Sequence, residues 1–520
     1  MLIFALLLFP QESPWVETQS GTLPLVLSAP HGGLKKPSEM ADRTRGVLKR
    51  DTNTREVLFK LADEIELRTG QRPFLVASNL HRIKLDPNRE LEEAAQGDEA
   101  AGKAWSVYHG ALERAGRSAR ALGQGRALVL DIHGHAHEED WIELGHAVSA
   151  ANLAKPDSEL SDSEWIRGSS SLGARLEDAG LRAVPSPSIP HPAGKPYFNG
   201  GYITRRHRGE GLRSIQLELP WSVRKAANHS WSIPAMADAV VLFLAENFVV
   251  PPMAIEAVPI GDIGRFAVFH DVFTRRVDIF GVQVLGTPNL PEEKLLHASR
   301  VLAEWLDNNE DGLVDDVRVL EILREEGAFL VMPKRERDMR QIGRHFSAWD
   351  EAGWRMGQDL YGEETRPDGA PHSCDAEGKR LAGRFDASLE EVLHLVSHGW
   401  EHAYPETFGF GVDSKLTRAM NVARGGEFER VPRRYPKNAW YTYDDRTCDY
   451  ECQAAEYFYW ALTTLLGGQD FPGRKEEIGH EWRPTTTMDL LETDPGVYEI
   501  LTNPEFNLPR VLPDGHYRGG

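Results

Sequence analysis

Cysteine is scarce: Cys374, Cys448 and Cys452 are the only three in a chain of 520 residues. Three thiols cannot build a disulfide framework, since at most one bridge forms and one thiol is left over. Nor do they supply the four ligands of a structural zinc site. Cys448 and Cys452 stand four apart on an expected helix and read first as packed thiols, so cysteine usage leaves the compartment open. Positive charge is short as well. Lys and Arg total 59 against 79 Asp and Glu, a formal net charge of -20. That excludes a general nucleic-acid binder, because nothing offsets phosphate repulsion. The basic cluster at Arg205, Arg206, His207 and Arg208 is too short for a nucleic-acid face but suits one anionic substrate group. The apolar run at Met1 to Phe9 ends at Pro10, too short to span a bilayer, and no stable membrane insertion is expected. Residues 1–13 read either as the apolar part of an export signal lacking a positive n-region and a small-residue cleavage site, or as a buried first strand. Localisation, cytoplasmic or exported, stays open. No internal repeat or low-complexity tract stands out.

What is present is ordinary globular material, 41% hydrophobic and 27% charged. The length exceeds one ordinary core and predicts two domains, with a boundary near Val249-Val-Pro-Pro252, so residues 14–250 and 251–520. In the first, apolar runs at 23–29, 74–78, 127–131 and 214–219 read as strands. They alternate with helical spacing over 51–69, about 102–122 and 233–247. That alternation predicts an α/β domain with a mixed sheet flanked by helices. Past the boundary come a short strand-bearing stretch, a helix over 292–306, a polar irregular segment over about 338–384, and a helix- and aromatic-rich remainder. This predicts a helix-rich (α+β) second domain.

Ligands in open α/β sheets gather at the carboxyl ends of the strands. The four predicted strands deliver chemistry there: Pro30-His31-Gly32-Gly33 after the first, His81-Arg82 and Asp86-Pro-Asn88-Arg89 after the second, Asp131-Ile-His133 at the third, Glu218 within the fourth. Zinc prefers nitrogen and oxygen ligands around an open position. His31 and His133 are therefore the candidate imidazole ligands and Asp51, at a helix start, the candidate carboxylate. Zinc would acidify a water for attack, with Glu218 the general base. Arg82 would stabilise the oxyanion, while Arg89 grips a substrate carboxylate beside Asn88. Taken singly, each motif also reads as a turn or a buried structural histidine.

The ordered set Ser28-Ala-Pro-His31-Gly-Gly, Asp86-Pro-Asn88-Arg89, Asp131-Ile-His133-Gly, Gly200-Gly201-Tyr202-Ile203 and Gln216-Leu-Glu218 resembles the N-formylglutamate amidohydrolase family over about residues 15–250. The resemblance implies a phosphorylase/hydrolase-like fold related to zinc carboxypeptidases and aspartoacylase-type deacylases. It also implies a His-x-x-Glu pair, a later His, an Asn-Arg pair and a late Glu as the working residues. One position departs: the residue three beyond His31 is Leu34, so the carboxylate must come from elsewhere. Asp51 resembles the aspartate that the family places before its first helix, with Glu39 and Asp42 as alternatives. Gly200 to Arg206 is expected to line the pocket, Tyr202 included, with Arg205 or Arg206 available for a second anionic group.

In the second half, His398-Gly-Trp-Glu401-His402 fits the His-x-x-Glu-His order of inverted zinc peptidases. Glu456, on a later helix, is a candidate third ligand of a second metal site. A hydrogen-bonded core network explains the same residues. Asp307, Asn309, Asp311 and Asp315, with Gly312 sixth in the run, resemble the start of a Ca2+ loop, although the twelfth position is Arg318. An acidic turn after a helix is the alternative. The leading functional expectation is a zinc-dependent hydrolase of an amide in an N-acylated, carboxylate-bearing small molecule or peptide. A metallopeptidase and a non-catalytic, metal-stabilised binding module are the alternatives.

Overall fold

The computed structural model describes residues 13–261, 264–367, 385–411 and 413–519. The run at Met1 to Phe9 and Cys374 lie outside the described residues. The chain divides between Pro251 and Pro252 into two compact units.

The N-terminal unit is built on a seven-stranded mixed sheet. Its strands in chain order are β1 (Val16–Gln19), β2 (Leu25–Ala29), β3 (Phe74–Ser78), β4 (Ala127–Gly134), β5 (Ile142–Gly145), β6 (Ala183–Val184) and β7 (Leu212–Leu219). Across the sheet they run β1-β3-β2-β4-β7-β5-β6. The central pairs β3/β2, β2/β4 and β4/β7 are parallel, while β1 and β5 run antiparallel to their larger neighbours. Central strands are apolar on both faces. Val26, Val76 and Val129 pack under the helix Glu99–Leu122 through Tyr108, Ala111, Leu112 and Ala115. The alternate residues Leu25, Leu27, Leu128 and Leu130 are equally buried. A strand sealed on both sides loses the polar alternation of a half-exposed one, which is why these runs read as continuous. Each buried Leu or Val side chain contributes about 1.5–3 kcal/mol. The helices Thr54–Thr69 and His229–Asn247 pack together, and the first also contacts β2, β3 and β4.

The four expected strands and three expected helices of this unit are present. β1, β5 and β6, two to four residues long, were not expected, because segments that short carry no resolvable period.

The C-terminal unit has a five-stranded sheet: β8 (Val258–Pro259), β9 (Arg275–Ile279), β10 (Val282–Gly286), β11 (Phe329–Met332) and β12 (Gly357–Asp359), in the order β12-β11-β10-β9-β8. Its helices include Glu292–Leu306, Val317–Glu325, Ser388–Ala403 and Tyr450–Leu465, with Ser388–Ala403 touching the other three. The α/β architecture with a helix-rich second unit is thus observed. The stretch expected to be irregular holds β12 and the short helices Met339–Ile342 and Phe346–Glu351. Cys448 and Cys452 are not packed thiols but a disulfide. Cys448 lies just ahead of the helix Tyr450–Leu465 and Cys452 in its first turn, with Cα atoms 5.4 Å apart, inside bonding range.

Candidate metal centre

Beyond β2 the chain passes Pro30 and His31 into Gly32 and Gly33, where the backbone is in close contact with two other segments. A Cβ on Gly32 would lie 2.5 Å from the Arg55 nitrogen, and one on Gly33 2.4 Å from the Asn79 carbonyl carbon. This approach seats His31 against the start of the helix Thr54–Thr69. The Asp51 amide donates to the His31 carbonyl at 3.1 Å, fixing the incoming strand of that loop. His133 arrives independently, near the end of β4.

These three side chains converge. Asp51 Oδ2 stands 3.2 Å from His31 Nδ1 and 3.3 Å from His133 Nδ1. The two rings meet edge to face with centroids 4.7 Å apart. Each far nitrogen is held by its own carboxylate: His31 Nε2 lies 2.6 Å from Asp86 Oδ1, and His133 Nε2 2.7 Å from Asp131 Oδ2. Asp131 in turn accepts from the Ser28 hydroxyl. Two imidazoles backed by carboxylates, with their other nitrogens turned to a shared third oxygen, form the arrangement in which outer-sphere partners orient metal ligands. All three groups are buried, and their ligand atoms lie within 4.8 Å of one another. Among the carboxylates left open by the sequence, Glu39 and Asp42 are exposed, and Asp42 pairs with Lys84. Of these three, Asp51 is the one that reaches the histidines.

Burial would raise the Asp51 carboxyl, but His31 and His133 outweigh it and hold it well below the usual carboxylate range. Asp86 is lowered against its own burial chiefly by His31, with Arg82 adding. His133 is raised well above an ordinary imidazole; burial opposes this, and Asp131, Asp51 and Glu218 overcome it. Glu218 sits directly beside His133 in the β4/β7 register. Burial, partly offset by His133, pushes its carboxyl up to about 7. Gln216 Nε2 donates to Glu218 Oε1 at 2.7 Å, while Gln216 Oε1 accepts from the Gly201 amide at 2.7 Å. Asn88 joins the pieces: its Nδ2 lies 3.4 Å from His133 Nε2 and donates to Gln216 at 3.3 Å, and its Oδ1 accepts from the Ile203 amide. Arg82 reaches Asp51 Oδ1 at 3.2 Å and Asp86 Oδ2 at 3.0 Å.

No family model matches the chain, and no curated protein matches it. Among solved structures, the gene product Atu2144 from Agrobacterium tumefaciens is 16% identical, with 45% of this chain and 92% of that one covered and a TM-score of 0.30.

Four expected substrate residues stand elsewhere. Arg89 is not turned to the histidines: its Nε pairs with Glu93 at 3.1 Å and its Nη1 donates to the Asn88 carbonyl. Tyr202 packs on Trp105 and His109. Arg206 binds the Tyr202 hydroxyl and Glu113, and Arg205 is exposed. For Tyr202 and Arg206 the physical reason is the short helix Tyr202–Arg206, which turns both side chains to Trp105 and Glu113 of the helix Glu99–Leu122. Residues that the sequence reading left without a role are Asp86, Asp131 and Gln216. Asp131 and Gln216 had a readable signal: each lies two positions before a candidate on the same strand, hence on the same face. A neighbouring group of His135, His137 and Glu143 also brings three ligand atoms together. Its His137 Nδ1 lies 2.6 Å from Glu143 Oε1, and Glu143 adjoins Glu218 across the β5/β7 register.

In the C-terminal unit the residues of the His-x-x-Glu-His motif form no three-ligand group among the described residues, although Glu401 Oε2 stands 3.7 Å from His402 Nδ1 as well as beside His398. His398 Nδ1 pairs with Glu401 at 2.8 Å, and His402, exposed, donates Nδ1 back to the His398 carbonyl of its own helix. Glu456 groups instead with Glu390 and His394. Asp307, Asp311 and Asp315 form no three-ligand group among the described residues. Asp307 accepts from the amides of Asp311 and Gly312 and from the Tyr517 hydroxyl, Asp315 from the Asn308 amide, and Asn309 from the Asp311 amide. Among the described residues no helix is long and apolar enough to cross a membrane.

Proposed function

We propose that the N-terminal unit is a zinc-dependent hydrolase of linear amides, of the N-formylglutamate amidohydrolase kind, acting on an N-acylated amino acid or a similar small carboxylate-bearing compound. The observation that carries this reading is the pair of inward Nδ1 atoms at 3.2 and 3.3 Å from Asp51 Oδ2, each ring braced from behind by Asp86 or Asp131. Two imidazoles and one carboxylate are a zinc donor set with a position left open. The residues present therefore fit the ion, and His31, His133 and Asp51 would hold it. When bound, zinc supplies Lewis acidity and acidifies a water.

The remaining steps belong to the chain. Glu218, buried beside His133, takes the water proton on its carboxylate and returns it to the leaving nitrogen. Arg82, anchored by Asp51 and Asp86, keeps a fixed positive charge next to the ligands, where negative charge develops on the amide oxygen. Asn88 holds the His133 side of the pocket in register with Gln216. With Arg89 and Arg206 committed to Glu93 and Glu113, preference for a carboxylate rests on the family resemblance, whereas amide hydrolysis rests on the site.

The test pairs metal analysis with turnover. The purified chain is assayed with zinc on N-formyl and N-acetyl amino acids and on dipeptides, beside His31→Asn and Glu218→Gln. Loss of zinc in the first and loss of turnover with zinc retained in the second are expected. Zinc content that is indifferent to His31→Asn overturns the reading.

A further inference from the structure

The C-terminal unit holds a polar cluster, Glu456 buried and Glu390 and His394 half-buried, that amide hydrolysis in the other unit does not use. Glu390 and His394 lie one turn apart on the helix Ser388–Ala403, and Glu456 faces them from the contacting helix Tyr450–Leu465. One ligand atom from each lies within 4.8 Å of the others. Glu456 is 8% exposed. Its Oε2 is buried without a hydrogen-bond partner, and so is His394 Nε2. The two atoms are 3.7 Å apart. That is too far for a hydrogen bond, yet close to the roughly 3.3 Å between two ligands of one tetrahedral zinc ion.

The surroundings brace this geometry. Glu456 Oε1 accepts from the Tyr443 hydroxyl at 3.0 Å, which leaves Oε2 turned to the imidazole. Behind the ring, Glu391 Oε2 stands 3.7 Å from His394 Nδ1 and is itself held by Gln358 Nε2 at 2.6 Å. Carboxylates backing an imidazole and hydrogen bonds backing a carboxylate are what orients metal ligands. Three glutamates surround one histidine, and His394 and Arg474 are the cations acting on Glu390. A cavity of about 420 Å³ adjoins the cluster, lined by His394 and Glu456 together with His398, Glu401, Asp449 and Glu451.

We propose that Glu390, His394 through Nε2 and Glu456 through Oε2 bind one divalent transition-metal ion of the zinc class. The imidazole nitrogen selects such an ion over calcium, which takes six to eight oxygens. The adjoining cavity gives the ion an open side, and His398 and Glu401 line that space rather than supply the ligands.

The test uses the full chain, stripped of metal and titrated with Zn2+ alone by equilibrium dialysis and elemental analysis. The double variant His31→Asn, His133→Asn isolates this site from the N-terminal one. It is expected to keep one zinc per chain. Adding Glu456→Gln, or separately His394→Gln, lowers Zn2+ affinity about 100-fold or more, while His402→Ala leaves it unchanged. In the chain with both histidines intact, Glu456→Gln lowers the zinc stoichiometry by one, so the result does not depend on the double variant folding. Co2+ in place of zinc gives visible ligand-field bands that His394→Gln removes. A folded double variant that takes up no zinc overturns the proposal, as does unchanged affinity after both Glu456→Gln and His394→Gln.

Discussion

Replacing Asp131 by Asn separates a bracing carboxylate from a mere core polar group. Asp131 is fully buried, with Oδ2 2.7 Å from His133 Nε2 and Oδ1 accepting from Ser28. Asparagine keeps the shape and one carbonyl acceptor for the ring N–H, and its amide can face the serine oxygen. Only the formal charge is lost. An imidazole whose far N–H meets a carboxylate is the more basic ligand at its other nitrogen, and losing such a partner costs 10–100-fold in metal affinity, about 1.4–2.7 kcal/mol. The effect is bounded because His31, Asp51 and His133 all remain. Stability without metal also falls, since Asp131 is the foremost group holding His133 protonated against its burial. Zinc affinity is read by competition with a chromophoric chelator at fixed pH, with circular dichroism as the control for folding. Asp86→Asn, acting on His31, is expected to behave alike. A folded Asp131→Asn protein that binds zinc as tightly as its parent refutes the argument that the Nδ1 atoms face an ion.

Glu218→Gln is expected to lower kcat on a cleavable N-acyl amino acid by about 10²–10⁴-fold with zinc affinity unchanged; retained turnover excludes Glu218 as the base. Arg89→Ala removes an exposed pair with Glu93, worth about 0–1 kcal/mol, so kcat/KM is expected to stay within about fivefold, and a hundredfold fall would place Arg89 on the substrate after all. In the C-terminal unit, burial pushes Glu304 and Asp307 up to about 7 and Asp315 up to about 6. The folded state therefore binds their protons more tightly than the unfolded chain. Their contribution is full below about pH 4 and is lost as pH rises through about 6 to 7, on the order of a few kcal/mol. A melting temperature for this unit that is higher at pH 8 than at pH 5 contradicts that sign.

The sheet was legible where strands are buried on both faces. The runs around Leu25, Phe74, Ala127 and Ser214 stand out by continuous apolarity, and they are the strands that carry His31, Asp86, His133 and Glu218 towards one edge. β1 and β5 were not legible, since a four-residue strand is defined by its partner and not by its own pattern. The grouping of His31, Asp51 and His133 was readable because all three sit at element ends. Arg89, Tyr202 and Arg206 were misplaced because a motif fixes sequence position but not side-chain direction. The turn after Asn88 sends Arg89 to Glu93, and one helical turn sends Arg206 to Glu113. In the second unit, Glu456 groups with Glu390 and His394, one helical turn before the His-x-x-Glu-His motif, whereas His402 is exposed.

The departure at Leu34 finds its explanation in the path of the chain. Because Gly32 and Gly33 are pressed against the backbones of Arg55 and Asn79, the chain leaves the histidine at once and pairs with the segment after β3. The Lys35 amide donates to the Asn79 carbonyl and the His81 amide to the Lys35 carbonyl, both at 2.8 Å. Residue 34 is thereby turned outward, and its side chain is 67% exposed. A carboxylate at that position would stand in solvent beside the site, not in it. The loop that returns to His31 at Asp51 brings in a different acid: its backbone is tied to His31, and its carboxylate reaches between both imidazoles. Leucine at 34 and aspartate at 51 are therefore two sides of one geometric fact: the path of the chain that turns position 34 outward is the one that brings the carboxylate of position 51 to both imidazoles.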